Sequence, residues 1–441
     1  MIIDLKVKNW RSFRDETDLT LAATDERQLR ARVPKVRTSP VLKVSPVAAL
    51  YGGNASGKTN LFSLFAFLQE IVLFPPRDEQ KEIPLNTFAL SAEQNKNPTE
   101  ITLTFLSADD KIYELHLLLS LNAVIEESLS IIRKNGTAVP LYSRKYNNIK
   151  FQQSSLVNNK DAQAYARLIT KNQLFIGVAG FRIPQLKAAF LWFRNQLTLI
   201  NTHSTFHGFW DMFSTVPTDI TILAELLKQL DTGICKLGME ETTYAALPIK
   251  IPETELMGRL NNDSAIELNF NGLRYVVTKL GDHLTFKKMV SYHKNHEGKE
   301  IKFELAQESE GSLRLLDILP AFIDLERKDS RKVYVIDELD RSWHYVLSRR
   351  LLGIYLAHCS EDSRSQLLFS THDLMLMDQN LFRRDEIWIM ERNEDGVSKL
   401  MSLAGCNIRY DKDIRKLYLQ GGLGGIPQLT RFGSLLDIKE A

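Results

Sequence analysis

The chain is 441 residues long, enough for two or three domains or for one domain carrying a large insertion. Its 44% hydrophobic and 25% charged residues are those of an ordinary globular protein, and a net charge of +2 creates no global field that demands nucleic acid or a membrane as partner, although a local basic face stays open. Three cysteines far apart, Cys235, Cys359 and Cys406, with no C-x-x-C pair, exclude a cysteine zinc site and supply no disulfide framework, so a reducing cytoplasm is the expected setting.

The opening stretch MIIDLKVKNWRSF sets Asp4, Lys6 and Lys8 among apolar residues and reads as an alternating strand rather than a signal peptide. Residues 1–22 alternate like edge strands, and 23–46, charged and proline-bearing, read as loop. An apolar run at 47–51 is followed by GGNASGKT and then by a helix predicted to reach about Phe74, where PPRDEQ stops it. Thr99 to Ile132 reads as hairpin strands with SADDK as a turn. The longest apolar run, Leu115 to Ile125, is broken by His116, Ser120 and Asn122 and is too short to span a bilayer, so no membrane partner is expected. From about Asp161 to Leu230 the pattern turns helical, as in LKAAFLWFRNQLTLI, and 264–305 returns to strands with FNGLRY and KNHEGKE as turns. A helix from SEGSLRLLDILPAFIDLERK, the run KVYVIDELD, a helix over Val346 to His358, the run QLLFSTHD and a strand in DEIWIMERNEDG complete the order. Apolar runs alternating with helices at both ends predict an α/β fold with a parallel sheet and an inserted middle. No internal repeat or sustained heptad seam is present.

Four stretches carry chemistry. Gly52, Gly57, Lys58 and Thr59 complete G-x-x-x-x-G-K-[ST], the phosphate-binding loop. Glycines let several N–H groups face one anion, and the following helix adds the partial positive charge of its N-terminus. Lys58 supplies a mobile cation for the β- and γ-phosphates, and the Thr59 hydroxyl is a hard ligand for Mg²⁺. The alternative is an ordinary strand-to-helix turn. VYVIDE has the unbroken apolar run of a central parallel strand, with Asp337 emerging at its carboxyl end to hold Mg²⁺ and Glu338 placed to polarise an attacking water. In STHD, His372 stands where a γ-phosphate sensor would, although a histidine at a strand end is commonly structural. In ESEGSLRLL, Ser309 reads as a helix N-cap, and with Gly311 it forms a potential anion site for a nucleotide held by another subunit.

Taken together, these elements resemble the split head of the ABC-type ATPases that includes the SMC and RecF relatives, with NWRSF (Asn9 to Phe13) similar to a segment of their first strands. YGGNASGKTNL, SEGSLRLL, VIDELDRSWH, STHD and the tail YLQGGLGGIPQL resemble more narrowly the stand-alone AAA15/AAA21-type ATPases of bacterial antiphage defence. The resemblance is strong at both ends and general between about 135 and 260. It implies an ABC-type head with a mixed sheet, an antiparallel β subdomain and a helical insertion. Residues 1–134 would form the N-terminal lobe, 135–263 a mainly helical insertion and 264–441 the C-terminal lobe. It implies ATP and Mg²⁺ as ligands, with Gly52, Asn54, Ala55, Ser56, Gly57, Lys58, Thr59 and Asn60 around the phosphates, Thr59 and Asp337 on the metal, and Glu338 and His372 as catalytic groups. Ser309 and Gly311 would be read in trans in an ATP-sandwiched homodimer, itself able to build higher homo-oligomers. Arg11 touches the nucleotide or is a surface arginine. Glu310 departs from the glycine of transporter signatures, His344 stands in place of an aspartate of the D-loop, and PLNTFAL occupies the place of a Q-loop.

The resemblance leads first to a sensor or scaffold ATPase that controls a separate TOPRIM or HNH nuclease effector, with a phage-encoded trigger protein. A RecF-like DNA-maintenance ATPase is the alternative, with Arg383/Arg384 or Arg349/Arg350 as small basic patches or as solvated surface. A third reading, a nuclease in its own right, rests on Asp411 and Asp413, with too few residues following for the rest of a TOPRIM domain. A transporter subunit fits least, because the insertion is long and the transporter signature is absent.

Overall fold

The computed structural model describes all residues except 39, 93, 203, 207, 215–216, 261–264, 407–411 and 426–441. The chain forms two compact units. One holds Met1–Leu199, Lys328–Leu339 and the chain from Leu356 on; the other holds Ile200–Arg327 and Asp340–Tyr355.

The first unit is built on two large sheets and a two-stranded one, Lys35–Thr38 with Val41–Lys43, inside the stretch 23–46 that reads as loop in sequence. The central one has six strands in the order Leu197–Ile200, Val333–Ile336, Gln366–Ser370, Val47–Tyr51, Ile387–Arg392, Ser398–Ser402. Its four middle strands run parallel, and Ser398–Ser402 is antiparallel to its neighbour. Val47–Tyr51, Val333–Ile336 and Gln366–Ser370 are buried at every position, as expected where both faces of a parallel sheet are covered. The Lys58–Leu73 helix buries Leu61, Leu64, Phe65, Leu68 and Val72 in the same core.

The second sheet of this unit is antiparallel and seven-stranded, with Ile2–Lys8 between Thr17–Thr20 and Thr99–Leu106. Thr99–Leu106 and Ile112–Leu119 pair as the predicted hairpin. Their alternating burial, with Ile101, Leu103, Leu115 and Leu117 inward, gives this sheet one core face. The sheet continues through Val124–Ile132 and Ala138–Lys145 to Asn148–Phe151, so the segment 135–263 contributes strands here as well as helices.

The helical period read across LKAAFLWFRNQLTLI ends earlier than expected. The helix Pro184–Leu191 gives way to a π-type turn at Trp192–Gln196, and Leu197–Ile200 is a strand. The strand pairs at the sheet edge beside Val333–Ile336, and the Gln196 amide anchors its start: the oxygen accepts from Ala108 N–H at 3.0 Å and the nitrogen donates to the Arg331 carbonyl at 2.9 Å.

The second unit carries a five-stranded antiparallel sheet in which His283–Lys294 pairs with Ile234–Thr242, Leu273–Leu280 and Glu300–Glu304. Its Glu310–Leu325 helix is capped by Ser309, whose hydroxyl accepts from Ser312 N–H, and tolerates Pro320 in its interior. No described helix is long and apolar enough to cross a membrane.

Candidate nucleotide-binding site

The loop 52–57 connects a buried parallel strand to a sixteen-residue helix in the first unit. Ala55 and Gly57 both have positive φ, 60° and 113°, which turns the backbone sharply into the helix. A Cβ on Gly52 would lie 2.4 Å from the Met390 carbonyl oxygen, and one on Gly57 would lie 2.4 Å from Ser398 Oγ and 2.9 Å from Ser12 Oγ. Neither position has room for a side chain. Asn54 and Ala55 are exposed at the tip, while Ser56 is buried with its hydroxyl unpartnered among the described residues. Lys58, only 6% exposed, donates from Nζ to the Gly52 and Gly53 carbonyls at 2.7 and 3.1 Å, so its cation is held over the loop.

Three segments converge beside that lysine. Thr59 Oγ1 donates to Asp337 Oδ2 at 2.8 Å, and Ser370 Oγ donates to Asp337 Oδ1 at 2.5 Å. The same serine hydroxyl accepts from Glu338 N–H at 2.8 Å, and its carbonyl accepts from Leu339 N–H at 3.0 Å. Glu338 has φ of 50°, unusual for a side-chain-bearing residue, and this turn carries it off the end of the strand. Ser370 is therefore a residue that the motif reading passed over, although it stands at the head of STHD. It is fully buried and ties the acidic strand to the histidine loop. His372, two residues further on, is exposed.

A polar clasp holds the loop from the other side. Ser398 Oγ donates to the Ser56 carbonyl at 2.6 Å and accepts from Ser12 Oγ at 2.7 Å; Asn60 Nδ2 donates to Ser12 Oγ at 2.8 Å; and Trp10 Nε1 donates to the Asn60 carbonyl at 2.9 Å. NWRSF thus reaches the phosphate loop through Trp10 and Ser12. Arg11 has φ of 47°, donates its N–H to the Asn86 carbonyl at 2.6 Å and lays its guanidinium 5.6 Å from the centre of the Trp10 ring. Burial pushes its pKa down, and its Nε has no partner among the described residues. It lines a cavity of about 460 Å³ together with Asn60, Arg392 and the PLNTFAL residues Asn86, Thr87 and Phe88. Substituting Gly57 by alanine combines a disfavoured φ with two close contacts. It is expected to cost about 1–3 kcal/mol of stability, read by urea titration, and to remove nucleotide binding.

Ser309 and Gly311 lie in the second unit. Ser309 caps its helix, and a Cβ on Gly311 would lie 2.6 Å from the Ser342 carbonyl oxygen. The exposed Glu310 carboxylate stands 3.7 Å from Arg341. Behind this turn Glu308 accepts from Ser291 Oγ at 2.5 Å and lies 2.7 Å from His293 Nε2, which anchors the cap to the sheet.

Two arginine readings change. Arg383 and Arg384 are 1% and 5% exposed, so they are neither a basic patch nor solvated surface. Arg383 donates to Asp385 and to the Thr24, Glu26 and Gln28 carbonyls, while Glu26 accepts from Arg384 N–H. Burial in this network pushes the Glu386 carboxyl up to about 7 even though Arg32 pairs with it. Asp413 accepts from Arg415 and Lys416 N–H as the cap of Ile414–Leu419; Asp411 and the end of the YLQGGLGGIPQL tail lie outside the described residues.

A glycine-tight loop between strand and helix, a lysine over it and a threonine hydroxyl on a strand-end aspartate define a P-loop α/β fold of the AAA ATPase type. A family profile described as "AAA domain, putative AbiEii toxin, Type IV TA system" matches residues 47–168 and 236–378, more than half of the chain. The chain belongs to that family. Among solved structures it is similar to the SMC head domain from Thermotoga maritima, at 13% identity and TM-score 0.37, over 91% of this chain and 98% of that one. It is also similar to an SMC head bound to the C-winged helix domain of ScpA, at 13% identity and TM-score 0.39, over 91% and 97%. No curated protein matches.

Proposed function

We propose that this chain binds and hydrolyses ATP with Mg²⁺, closes as a homodimer around the triphosphate, builds into a higher homo-oligomer and so controls a separate nuclease effector in bacterial antiphage defence. The observation that carries the reading is the hydrogen-bonded link Thr59–Asp337–Ser370, which sets a hydroxyl and a carboxylate, both hard oxygen donors, 2.8 Å apart beside the phosphate loop. The unpartnered Ser56 hydroxyl fits a loop that takes an anion, and the two glycines without room for a Cβ hold that loop against Met390, Ser398 and Ser12. Bound Mg²⁺ would draw negative charge from the phosphate oxygens. Thr59 and Asp337 hold the metal, Lys58 neutralises phosphate, Glu338 takes the proton of the attacking water and His372 senses the γ-phosphate. Asn54, Ala55 and Asn60 complete the loop's surround, and Arg11 faces the remainder of the nucleotide from its cavity. Ser309 and Gly311 serve the partner subunit's nucleotide.

The defence setting is supported by the family's description, which names a toxin of a type IV toxin–antitoxin system. The motif set resembles that of AriA, the ATPase subunit of the PARIS system. A TOPRIM or HNH nuclease is the effector this reading expects, with a phage-encoded protein as trigger and the bacterial cytoplasm as setting. Glu338→Gln is the test. It is expected to retain ATP binding by calorimetry, to lose about 10²–10⁴-fold in turnover and to shift to larger species with ATP in mass photometry. Absence of ATP binding, or a mass distribution indifferent to ATP, overturns the proposal.

A further inference from the structure

A second cavity, of about 740 Å³, lies in the first unit at the opposite end of the central sheet. Arg331 and Arg364 precede the Val333–Ile336 and Gln366–Ser370 strands, whereas Asp337 and His372 follow them. Parallel strands of four or five residues separate the two ends by about 15 Å. The cavity has an aliphatic floor of Val36, Ile112 and Ile132, the last two paired in register, with Ile131 also in its lining. Its rim is cationic: Lys35, Arg37, Lys111, Arg133, Lys134 and Arg364. The one carboxylate in the lining, Asp110, is already taken by Arg331 in a two-pronged pair at 2.6 and 3.2 Å, which holds its pKa below the usual carboxylate range. Lys111 pairs with Asp109 at 3.0 Å. Arg364 donates to the Glu361, Ser363 and Lys35 carbonyls, and Arg37 to the Pro40 carbonyl, and among the described residues neither guanidinium forms an ion pair. Among the described residues no ion pair engages Arg133 or Lys134, on the exposed turn between Val124–Ile132 and Ala138–Lys145.

We propose that this cavity is a docking site for an acidic segment of a partner protein, one that places aliphatic side chains on the isoleucine floor and carboxylates against the rim. The charge surplus is complementary to an anion, and the floor to apolar groups from the same ligand. Nucleic acid matches only the first. Its phosphates would engage the rim while leaving the floor uncovered, and no aromatic ring lines the cavity to stack an unpaired base. The volume falls within the usual range of binding pockets, about 300–1,000 Å³, which suits a few side chains of a peptide and not a duplex. The site stands apart from the phosphate loop, so the inference does not depend on the nucleotide reading.

The test uses the full chain and a short fluorescein-labelled peptide of alternating leucine and glutamate, followed by anisotropy. The peptide is expected to bind, to weaken as salt rises and to lose at least about tenfold in affinity, or 1.4 kcal/mol, with R133E/K134E. These side chains are on an exposed turn, and an unchanged melting temperature verifies the fold. Ile132→Asp, placed in the floor opposite Ile112, is a second variant expected to lose binding. Three outcomes overturn the proposal: no binding of the peptide, equal binding by polyglutamate, which lacks the leucines, or a stronger affinity for single- or double-stranded oligonucleotide than for the peptide.

Discussion

Asp337→Asn is expected to keep the fold and lose the metal-dependent chemistry. Asp337 is 6% exposed and accepts hydrogen bonds from two hydroxyls, those of Thr59 and Ser370. An asparagine can satisfy both, because hydroxyls rotate: its carbonyl accepts from Ser370, and its amide donates to Thr59. The Ser370 link to Glu338 N–H then survives, and with it the strained turn that presents Glu338. What disappears is the negative charge opposite the threonine, and with a hard divalent cation that charge decides affinity. Turnover of Mg-ATP is therefore expected to fall by about 100-fold or more, with thermal unfolding little moved. Asp337→Ala separates the two roles. It leaves the fully buried Ser370 hydroxyl without its acceptor and is expected to cost about 1–3 kcal/mol of stability besides. Wild-type turnover in D337N would remove Asp337 from metal binding. Equal stability of D337N and D337A would remove the hydrogen-bond argument.

The contrast between those substitutions also marks what the sequence discloses. The phosphate loop, its helix and the buried acidic strand are local patterns: spacing, an apolar run, a strand-end acid. In the structure Thr59 Oγ1 and Asp337 Oδ2 are 2.8 Å apart. The hairpins of residues 99–132 were equally plain, because alternation over eight residues and a turn of small polar residues are local too. Long-range partnerships left no such trace. Ser12 and Ser398 meet across most of the chain at 2.7 Å, and neither sits in a periodic pattern. Leu197–Ile200 continues a helical-looking run, and it is a strand because it pairs at the sheet edge beside Val333–Ile336, more than a hundred residues away, with Gln196 bonded to the Ala108 and Arg331 backbone at its start. Arg383 and Arg384 look like surface in sequence because their partners Glu26, Thr24 and Gln28 lie more than three hundred residues away. PLNTFAL, at the place of a Q-loop, lines the cavity beside Arg11, and its Asn86 carbonyl accepts from Arg11 N–H. Side chains whose work is to accept or donate across the fold are invisible until their partners are placed.

Glu127→Ala is expected to be the most destabilising single change outside the candidate site, and its neighbour provides the control. In the Val124–Ile132 and Ala138–Lys145 ladder, Glu126 pairs in register with Lys145 and Glu127 with Arg144. The two acid–base pairs are adjacent in sequence and alike in composition. They point to opposite faces. Glu126 and Lys145 form an ion pair at 3.1 Å with side chains 39% and 71% exposed, whereas Glu127 and Arg144 are both fully buried. Glu127 also accepts from Tyr142 Oη at 2.6 Å and from Phe175 and Ile176 N–H at 2.8 and 3.1 Å, closing the start of the Phe175–Ala179 helix. Removing its carboxylate leaves the Tyr142 hydroxyl and two helix-end N–H groups without their acceptor, and leaves the buried Arg144 guanidinium, which keeps the Tyr146, Thr170 and Gln173 carbonyls, without its counter-charge. Loss of one partner of such a pair costs about 3–5 kcal/mol. Loss of an exposed pair costs about 0–1 kcal/mol, because water and salt replace most of the attraction. Urea titrations of Glu127→Ala and Glu126→Ala should therefore differ by several-fold in lost stability. Glu127→Gln should fall between them, since its amide oxygen still accepts while the charge opposite Arg144 is gone. Equal losses for the two alanine variants would mean that the buried carboxylate contributes no more than its exposed neighbour, and that packing of Tyr142 and Phe175 holds this corner alone.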